Sequence, residues 1–139
     1  MRVDRLDHLV LTVADVDQTV RFYVDALGMT EVVFGRGRRA LAFGRQKINL
    51  HQKGVEIEPK AFAPTPGSAD LCLITTTPLT LVAKELRAKG IPVELGPVVR
   101  AGALGKMRSL YLRDPDRNLI EISNYKDTAD RRPPPQIPS

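Results

Sequence analysis

Apolar and polar residues alternate from residue 5 to residue 13, which is the pattern of a β-strand with one buried face. Asp15 then fits the N-cap of a helix, and Gln18 three residues later completes a capping-box pattern. A helical stripe of apolar residues follows, formed by Val20, Phe22, Tyr23 and Leu27. Gly28 suits the left-handed position just past a helix end. The start of the chain therefore predicts a strand followed by a helix.

The pattern of strand and helix occurs twice. Three short extended segments follow the first helix, at residues 29–34, 39–43 and 47–51, and a connection rich in proline and glycine covers 52–67. The pattern restarts with a strand at 69–75 and a helix that Thr77 would cap, with Pro78 at its first position and Gly90 at its close. The remaining segments are extended at 91–99, a small-residue loop at 100–105, a strand at 106–113, a turn at 114–117 and a strand at 118–123.

This order of elements predicts an α+β fold made of two βαβββ modules, at about residues 5–51 and 67–125. The two modules are expected to form one domain over residues 1–127. Two such sheets can pair and enclose a cavity. The proline-rich tail at 128–139 is expected to be disordered.

Composition narrows the class of protein. The 139 residues include 42% hydrophobic and 27% charged residues, which is ordinary for a soluble domain, and no apolar stretch approaches the roughly 20 residues needed to cross a bilayer. The single cysteine, Cys72, cannot form an internal disulfide, so a reducing cytoplasm is the expected location. The net charge of +5 comes from scattered residues, and no segment interleaves basic and aromatic side chains. Neither nucleic acid nor a membrane is therefore an expected partner.

Four polar residues occupy the first and last strands of the two modules. The only histidines, His8 and His51, fall in the first module, and Asp70 and Glu121 fall in the second. Glu121 lies within the apolar segment LIEI, where a carboxylate on an inner face costs several kcal/mol unless it is paired or binds a metal. Taken singly, each residue also suits a structural role, as a core histidine, a strand-end residue, a turn cap or a solvated carboxylate.

As a set, these residues predict a metal centre. Two imidazoles and two carboxylates suit one divalent ion such as Zn, Ni, Co, Mn or Fe(II). Two carboxylates would neutralise the ion, and either Asp70 or Glu121 could then leave it and act as a base beside a polarised carbonyl. Cys72 shares a strand face with Asp70, although a buried inert thiol is the preferred interpretation. Tyr111 is preferred as a packed aromatic over a proton donor.

A basic segment, GRGRR at residues 35–39, has two interpretations. Arg36, Arg38 and Arg39 could attract an anionic substrate, or they could form a solvated hairpin tip, which is the preferred interpretation.

Four segments of the chain resemble the vicinal oxygen chelate superfamily, which includes glyoxalases, bleomycin-resistance proteins and extradiol dioxygenases. They are HLVLTVADVDQTVRFYVDALGM, KINLHQKG, PGSADLCLIT and SLYLRDPDRNLIEISNY, and the likeness is greatest to the glyoxalase domain-containing protein 5 group. The resemblance covers about residues 3–125. It implies paired βαβββ modules that form an open, cupped mixed sheet, with one metal ion per cavity. It also implies a homodimer, and ligands at His8, His51, Asp70 and Glu121.

The chain also departs from its relatives in this superfamily. Glyoxalase I enzymes usually have histidine at the position of Asp70 and glutamate at that of His51, so the middle pair of ligands is exchanged here. Arg117 stands where many members have glycine, which indicates a strained or different turn.

Three functions follow from the resemblance. The preferred one is a metal-dependent glyoxalase-like lyase or isomerase acting on a small oxygen-chelating substrate, with Glu121 or Asp70 as its base. The second is an iron-dependent extradiol dioxygenase, for which Asp70 stands where the second histidine ligand is expected. The third is a metal-free drug-binding protein of the bleomycin-resistance type, which the low aromatic content of 5% disfavours.

Overall fold

The computed structural model describes residues 1–125, and the proline-rich tail lies outside these described residues. The elements in chain order are β1 (His8–Val13), α1 (Val16–Leu27), β2 (Thr30–Phe34), β3 (Arg38–Phe43), β4 (Gln46–Gln52), β5 (Asp70–Ile74), α2 (Leu79–Ala88), β6 (Leu95–Gly102), β7 (Gly105–Arg113) and β8 (Leu119–Tyr125). The order βαβββ occurs twice, so the predicted α+β fold of two modules is confirmed. In the part of the chain that is described, neither helix is long and apolar enough to span a membrane.

The chain divides into two compact units. Unit 1 comprises Met1–Ala69 and the short turn Asp114–Asn118, and unit 2 comprises Asp70–Arg113 and the described residues 119–125. Each unit holds a mixed four-stranded sheet, in the order β1-β4-β3-β2 in unit 1 and β5-β8-β7-β6 in unit 2. In both sheets the first and last strands of the module pair in parallel, and the other pairs are antiparallel.

Unit 1 has its core on one face of the sheet. Helix α1 begins as predicted, because the Asp15 carboxylate accepts a hydrogen bond from the Gln18 amide at 3.1 Å. It ends at Gly28, whose φ of 68° is left-handed. The apolar core of this unit is formed by Leu11, Val13, Val20, Leu41, Ile48 and Leu50, all of them buried. His8 and Val10 alternate with the core residues of β1 and are exposed on the opposite face.

Two sequence predictions in unit 2 are wrong. The helix cap is Pro78, not Thr77, and no side chain of the cap makes the capping hydrogen bond. Instead the Asn124 side-chain oxygen, from β8, accepts a hydrogen bond from the Leu79 amide at 2.9 Å. Asn124, from strand β8, therefore makes the capping hydrogen bond that the sequence pattern assigned to Thr77.

The predicted loop at 100–105 is instead mostly strand. Strands β6 and β7 pair as far as Gly102 and Gly105, which leaves only two residues at the tip. The Tyr125 hydroxyl accepts a hydrogen bond from the Leu104 amide at 3.1 Å, and a Cβ at Gly102 would lie 2.5 Å from that hydroxyl oxygen. The small residues therefore allow close packing at a hairpin end and do not mark a loop.

The turn Asp114–Asn118 is built around a buried carboxylate. Asp114 is 5% exposed and accepts hydrogen bonds from the amides of Asp116 and Asn118, both at 2.9 Å. It also accepts from the Asn118 side chain at 2.8 Å and from the Tyr23 hydroxyl at 2.7 Å. Burial, and then the neighbouring Asp114 carboxylate, raise the pKa of Tyr23 far above its ordinary value, so the phenol stays protonated. Arg117 has a left-handed φ of 67°, which agrees with the expectation of a strained or different turn.

Candidate functional site

The open face of the unit 1 sheet carries His8 on β1 and Asn49 on β4. The parallel register places His8 beside Lys47 and Val10 beside Asn49. His8 and Asn49 are therefore diagonal neighbours on one face, at about 7–8 Å between their Cα atoms. The His8 ring is exposed and its Nδ1 lies 2.8 Å from the Asp7 carboxylate. The Asn49 side chain is buried, and its Oδ1 has no hydrogen-bond partner within the described residues.

The open face of the unit 2 sheet carries Asp70 on β5 and Glu121 on β8. Here the register places Asp70 beside Leu119 and Cys72 beside Glu121, so Asp70 and Glu121 are again diagonal neighbours. Asp70 is exposed, and Glu121 is half-buried with Ile120 and Ile122 buried on the opposite face, as the alternation predicted.

The two units thus repeat one arrangement of side chains. When β1 is matched with β5 and β4 with β8, His8 corresponds to Asp70, and Asn49 corresponds to Glu121. Sequence reasoning missed Asn49 because an asparagine in a strand gives no signal that it binds a metal. The missing signal was the pairing register, which places Asn49 and not His51 at the repeat of Glu121.

His51 lies two residues beyond Asn49 on the same face, where it is 6% exposed. Its register partner is Thr12, four residues along β1 from His8, so the two histidine Cα atoms are about 13 Å apart along the strands. Donor atoms around one ion lie within about 4 Å of each other. His8 and His51 could therefore bind the same ion only if their side chains lean toward each other along the strands. Among residues 1–125, no three His, Cys, Asp or Glu side chains form a group that could hold a metal ion.

The environment of His51 keeps its imidazole neutral. Burial, and then the positive charge of Arg38, lower the pKa of His51 below its ordinary value, against a weaker opposite effect of Glu56. Its Nε2 is buried without a hydrogen-bond partner in the described part of the chain. Buried ring nitrogens of this kind normally have a hydrogen-bond partner, so this nitrogen is available as a ligand-binding atom.

Side chains around Glu121 form a hydrogen-bonded row. The Ser123 hydroxyl lies 3.3 Å from Glu121 Oε2, 2.6 Å from the Ser109 hydroxyl and 3.2 Å from the Cys72 thiol. Cys72 is exposed, so the expectation that its side chain is buried is wrong. Desolvation of its thiol raises the pKa of Cys72 and disfavours the reactive thiolate. Tyr111 is half-buried, and its hydroxyl accepts a hydrogen bond from Arg100 at 2.9 Å.

The repeated modules and these strand faces define a known class of protein. A family model described as the Glyoxalase/Bleomycin resistance protein/Dioxygenase superfamily matches residues 5–122, and the chain belongs to this superfamily.

Several proteins within this class are similar in sequence and structure. The virulence protein STM3117 of Salmonella typhimurium is 58% identical over 125 residues, which cover 90% of this chain and 87% of that protein. Its crystal structure has a TM-score of 0.89 and covers 90% of this chain and 99% of that one. The glyoxalase domain-containing protein RDO1 of Mycosarcoma maydis is 55% identical over 91% of this chain and 72% of that protein. An integron cassette protein from the mobile metagenome of V. cholerae is 56% identical, with a TM-score of 0.89 and coverage of 91% and 98%.

Proposed function

We propose that the chain is a metal-dependent, glyoxalase-like lyase or isomerase that acts on a small oxygen-chelating substrate. The observation that carries the proposal is the repeated diagonal pair, His8 with Asn49 and Asp70 with Glu121. Membership of the superfamily supports the same chemistry. We also propose that the chain groups with glyoxalase domain-containing protein 5, that it works in the cytoplasm, and that it forms a homodimer.

The donor atoms of these residues fit a divalent metal. His8, Asp70 and Glu121 are the proposed ligands from three strands. The fourth ligand comes from β4, where the sequence favours His51 and the register favours Asn49. An amide oxygen is a ligand for hard ions, and the unpartnered, buried Oδ1 of Asn49 is free to serve as one. One imidazole, one amide and two carboxylates suit Mn, Fe(II), Co, Ni or Zn.

The protein groups supply the proton chemistry in this proposal. When bound, the metal polarises the substrate carbonyl and acidifies the adjacent carbon. Glu121 Oε2 accepts from the Ser123 hydroxyl, and Oε1 then takes the proton from that carbon and returns it to the neighbouring atom. Asp70, which is exposed, is the second candidate base. The substrate recovers its proton, so the reaction needs no oxidant.

The metal content tests this proposal. The protein is purified without chelators or an affinity tag, and its metals are measured by elemental mass spectrometry beside the double variant His8→Ala/Glu121→Ala. We expect about one Mn, Co, Ni or Zn ion per chain in the wild type and a loss of at least tenfold in the variant. The Glu94→Gln variant is the matched control, because Glu94 is an exposed carboxylate of unit 2 paired with Arg113. Its metal content should equal that of the wild type.

Two further variants identify the ligand on β4. If the register argument holds, Asn49→Leu loses the metal and His51→Gln keeps it, and the reverse result supports the originally predicted ligand set.

Activity is then screened with α-keto aldehydes and their thiol adducts. Iron together with oxygen uptake on catechols would favour the dioxygenase instead. A wild type that binds no metal after reconstitution would overturn both enzyme functions and leave the drug-binding alternative. Light scattering tests the homodimer.

A further inference from the structure

Two cavities within the described part of unit 1 share His51 as a wall. The larger, of about 490 Å³, lies between β1 and the connection that follows β4, and is lined by Val10, Thr12, Pro59, Lys60 and Pro64 among others. The smaller, of about 190 Å³, lies at the start of β3 and is lined by Arg36, Arg38, Val55 and Ile57 among others. The volume of the larger cavity lies in the range of small-molecule sites.

The larger cavity is suited to an apolar body. Its wall includes Val10, which is 45% exposed, together with prolines and alanines of the connection. The hydroxyls of the connection are used within the connection itself, since Thr65 donates to the Ala63 carbonyl at 3.1 Å and Ser68 donates to the Thr65 carbonyl at 2.8 Å. Within the described residues, the His51 Nε2 is the buried polar atom of this wall that has no partner.

The smaller cavity presents a cation. Of the arginines in the GRGRR segment, Arg39 is neutralised by ion pairs with Asp17 and Glu31. Arg38 forms no ion pair with any carboxylate among residues 1–125, and its guanidinium lies 4.9 Å from the centroid of the Phe34 ring. This cation–π contact holds the side chain in place and leaves its hydrogen-bond donors for a ligand.

One carboxylate near His51, that of Glu56, is already satisfied. It accepts a hydrogen bond from the Gly54 amide at 3.1 Å, and its side chain lies 3.9 Å from the Lys60 ammonium group. The uncompensated charge beside His51 is therefore positive, and it favours an anion over a cation.

We propose that unit 1 binds a small organic carboxylate, with its carboxylate between Arg38 and the Nε2–H of His51 and its apolar body in the larger cavity. This proposal adds a ligand class to the chain and does not require the metal. The proposal assigns the anion-attracting role that was considered for the GRGRR segment to one of its residues, Arg38. No bond is made or broken in this binding.

The test uses benzoate as the probe. Affinity is measured by isothermal titration calorimetry on the protein as purified, and the site is located after EDTA treatment from the imidazole Cε1–H signals in two-dimensional NMR. The chain has only two histidines, so two such signals are expected. Benzoate should shift the His51 signal and leave that of His8 in place. Benzamide, its uncharged analogue, should bind at least about tenfold more weakly, as expected for loss of a charge-assisted hydrogen bond.

Variants separate this site from general attraction to a basic protein. Arg38→Gln should weaken benzoate binding about tenfold, and Arg38→Lys should recover part of that loss. Arg45→Gln is the matched control, because Arg45 is an exposed arginine in the turn after β3, at the other end of that strand from Arg38. It should change the affinity less than about twofold. The proposal is overturned if benzoate leaves the His51 signal unmoved, if Arg45→Gln matches Arg38→Gln, or if inorganic phosphate binds as well as benzoate. If the benzoate test fails but the purified protein holds a metal ion, the proposed enzyme function still stands.

Discussion

Removal of the Tyr23 hydroxyl tests the buried hydrogen bonds that hold the Asp114–Asn118 turn. In Tyr23→Phe the ring keeps its edge-to-face contact with Phe22, at 5.3 Å between centroids, so no cavity forms. The loss is therefore confined to the 2.7 Å hydrogen bond to Asp114 Oδ2, an atom that still accepts a hydrogen bond from the Asn118 side chain.

The expected cost follows from the charge and burial of that bond. A hydrogen bond to a charged group contributes about 1.5–3 kcal/mol, and the upper end applies where the acceptor stays buried. Asp114 is 5% exposed, so water does not readily replace the phenol. We expect Tyr23→Phe to lower the free energy of unfolding by about 2 kcal/mol, which corresponds to a fall in Tm of about 5–8 °C for a chain of this size.

Urea unfolding followed by far-UV circular dichroism is the suitable assay, because the chain has no tryptophan. Tyr111→Phe is the matched control, since the hydrogen bond that its hydroxyl accepts from Arg100 is exposed. That control should cost less than about 0.5 kcal/mol. Equal costs for the two variants would refute the reasoning. So would a double-mutant cycle of Tyr23→Phe with Asp114→Asn that gives no coupling, where about 1 kcal/mol or more is expected.

Three other predictions concern the same part of unit 1. Arg117→Gly should keep or raise Tm, whereas Arg117→Val should lower the free energy of unfolding by about 1 kcal/mol or more, because a β-branched residue is poorly tolerated at a φ of 67°. Gly67→Ala should cost about 1–3 kcal/mol in a denaturation experiment, since its Cβ would lie 2.6 Å from the Asp116 carbonyl oxygen at a φ of 85°. Burial raises the pKa of Asp116, so ionisation of this carboxyl opposes folding. Asp116→Asn should therefore gain stability relative to the wild type at pH 7, and the gain should disappear below about pH 4; a gain that grows on acidification would contradict this sign.

The sequence predicted the elements well where local signals decide them. Alternation, the Asp15 cap and Gly28 defined β1 and α1 because these signals lie within a few residues of the structure they specify. The cap of α2 was missed because Asn124, which satisfies the Leu79 amide, is 45 residues away in the chain. The hairpin end at Gly102 was predicted as a loop, because nothing in the small residues themselves indicates that Tyr125 packs on them.

For the candidate site, too, local sequence signals and contacts between distant residues give different information. The sequence selected His8, Asp70 and Glu121 from residue type and strand position, and these residues remain predicted ligands. It also selected His51, because imidazole is a stronger signal than an amide. Only the pairing register, which depends on contacts between β1 and β4, shows that Asn49 repeats the position of Glu121. Residue type therefore favours His51 as the metal ligand on β4, whereas the strand register favours Asn49.

The division of unit 1 into two stretches of chain has a consequence for dissection of the protein. Cleavage between Ala69 and Asp70 separates the two βαβββ modules in sequence, yet the first fragment would lack Asp114–Asn118. It would then expose the Tyr23 hydroxyl and the Ala69 amide, which donate to Asp114 and Asn118 in the intact chain. A fragment that ends at Ala69 would therefore need another source of those two acceptors, such as a second chain. The intact chain supplies both acceptors itself, so a cut at this site is expected to destabilise the first module.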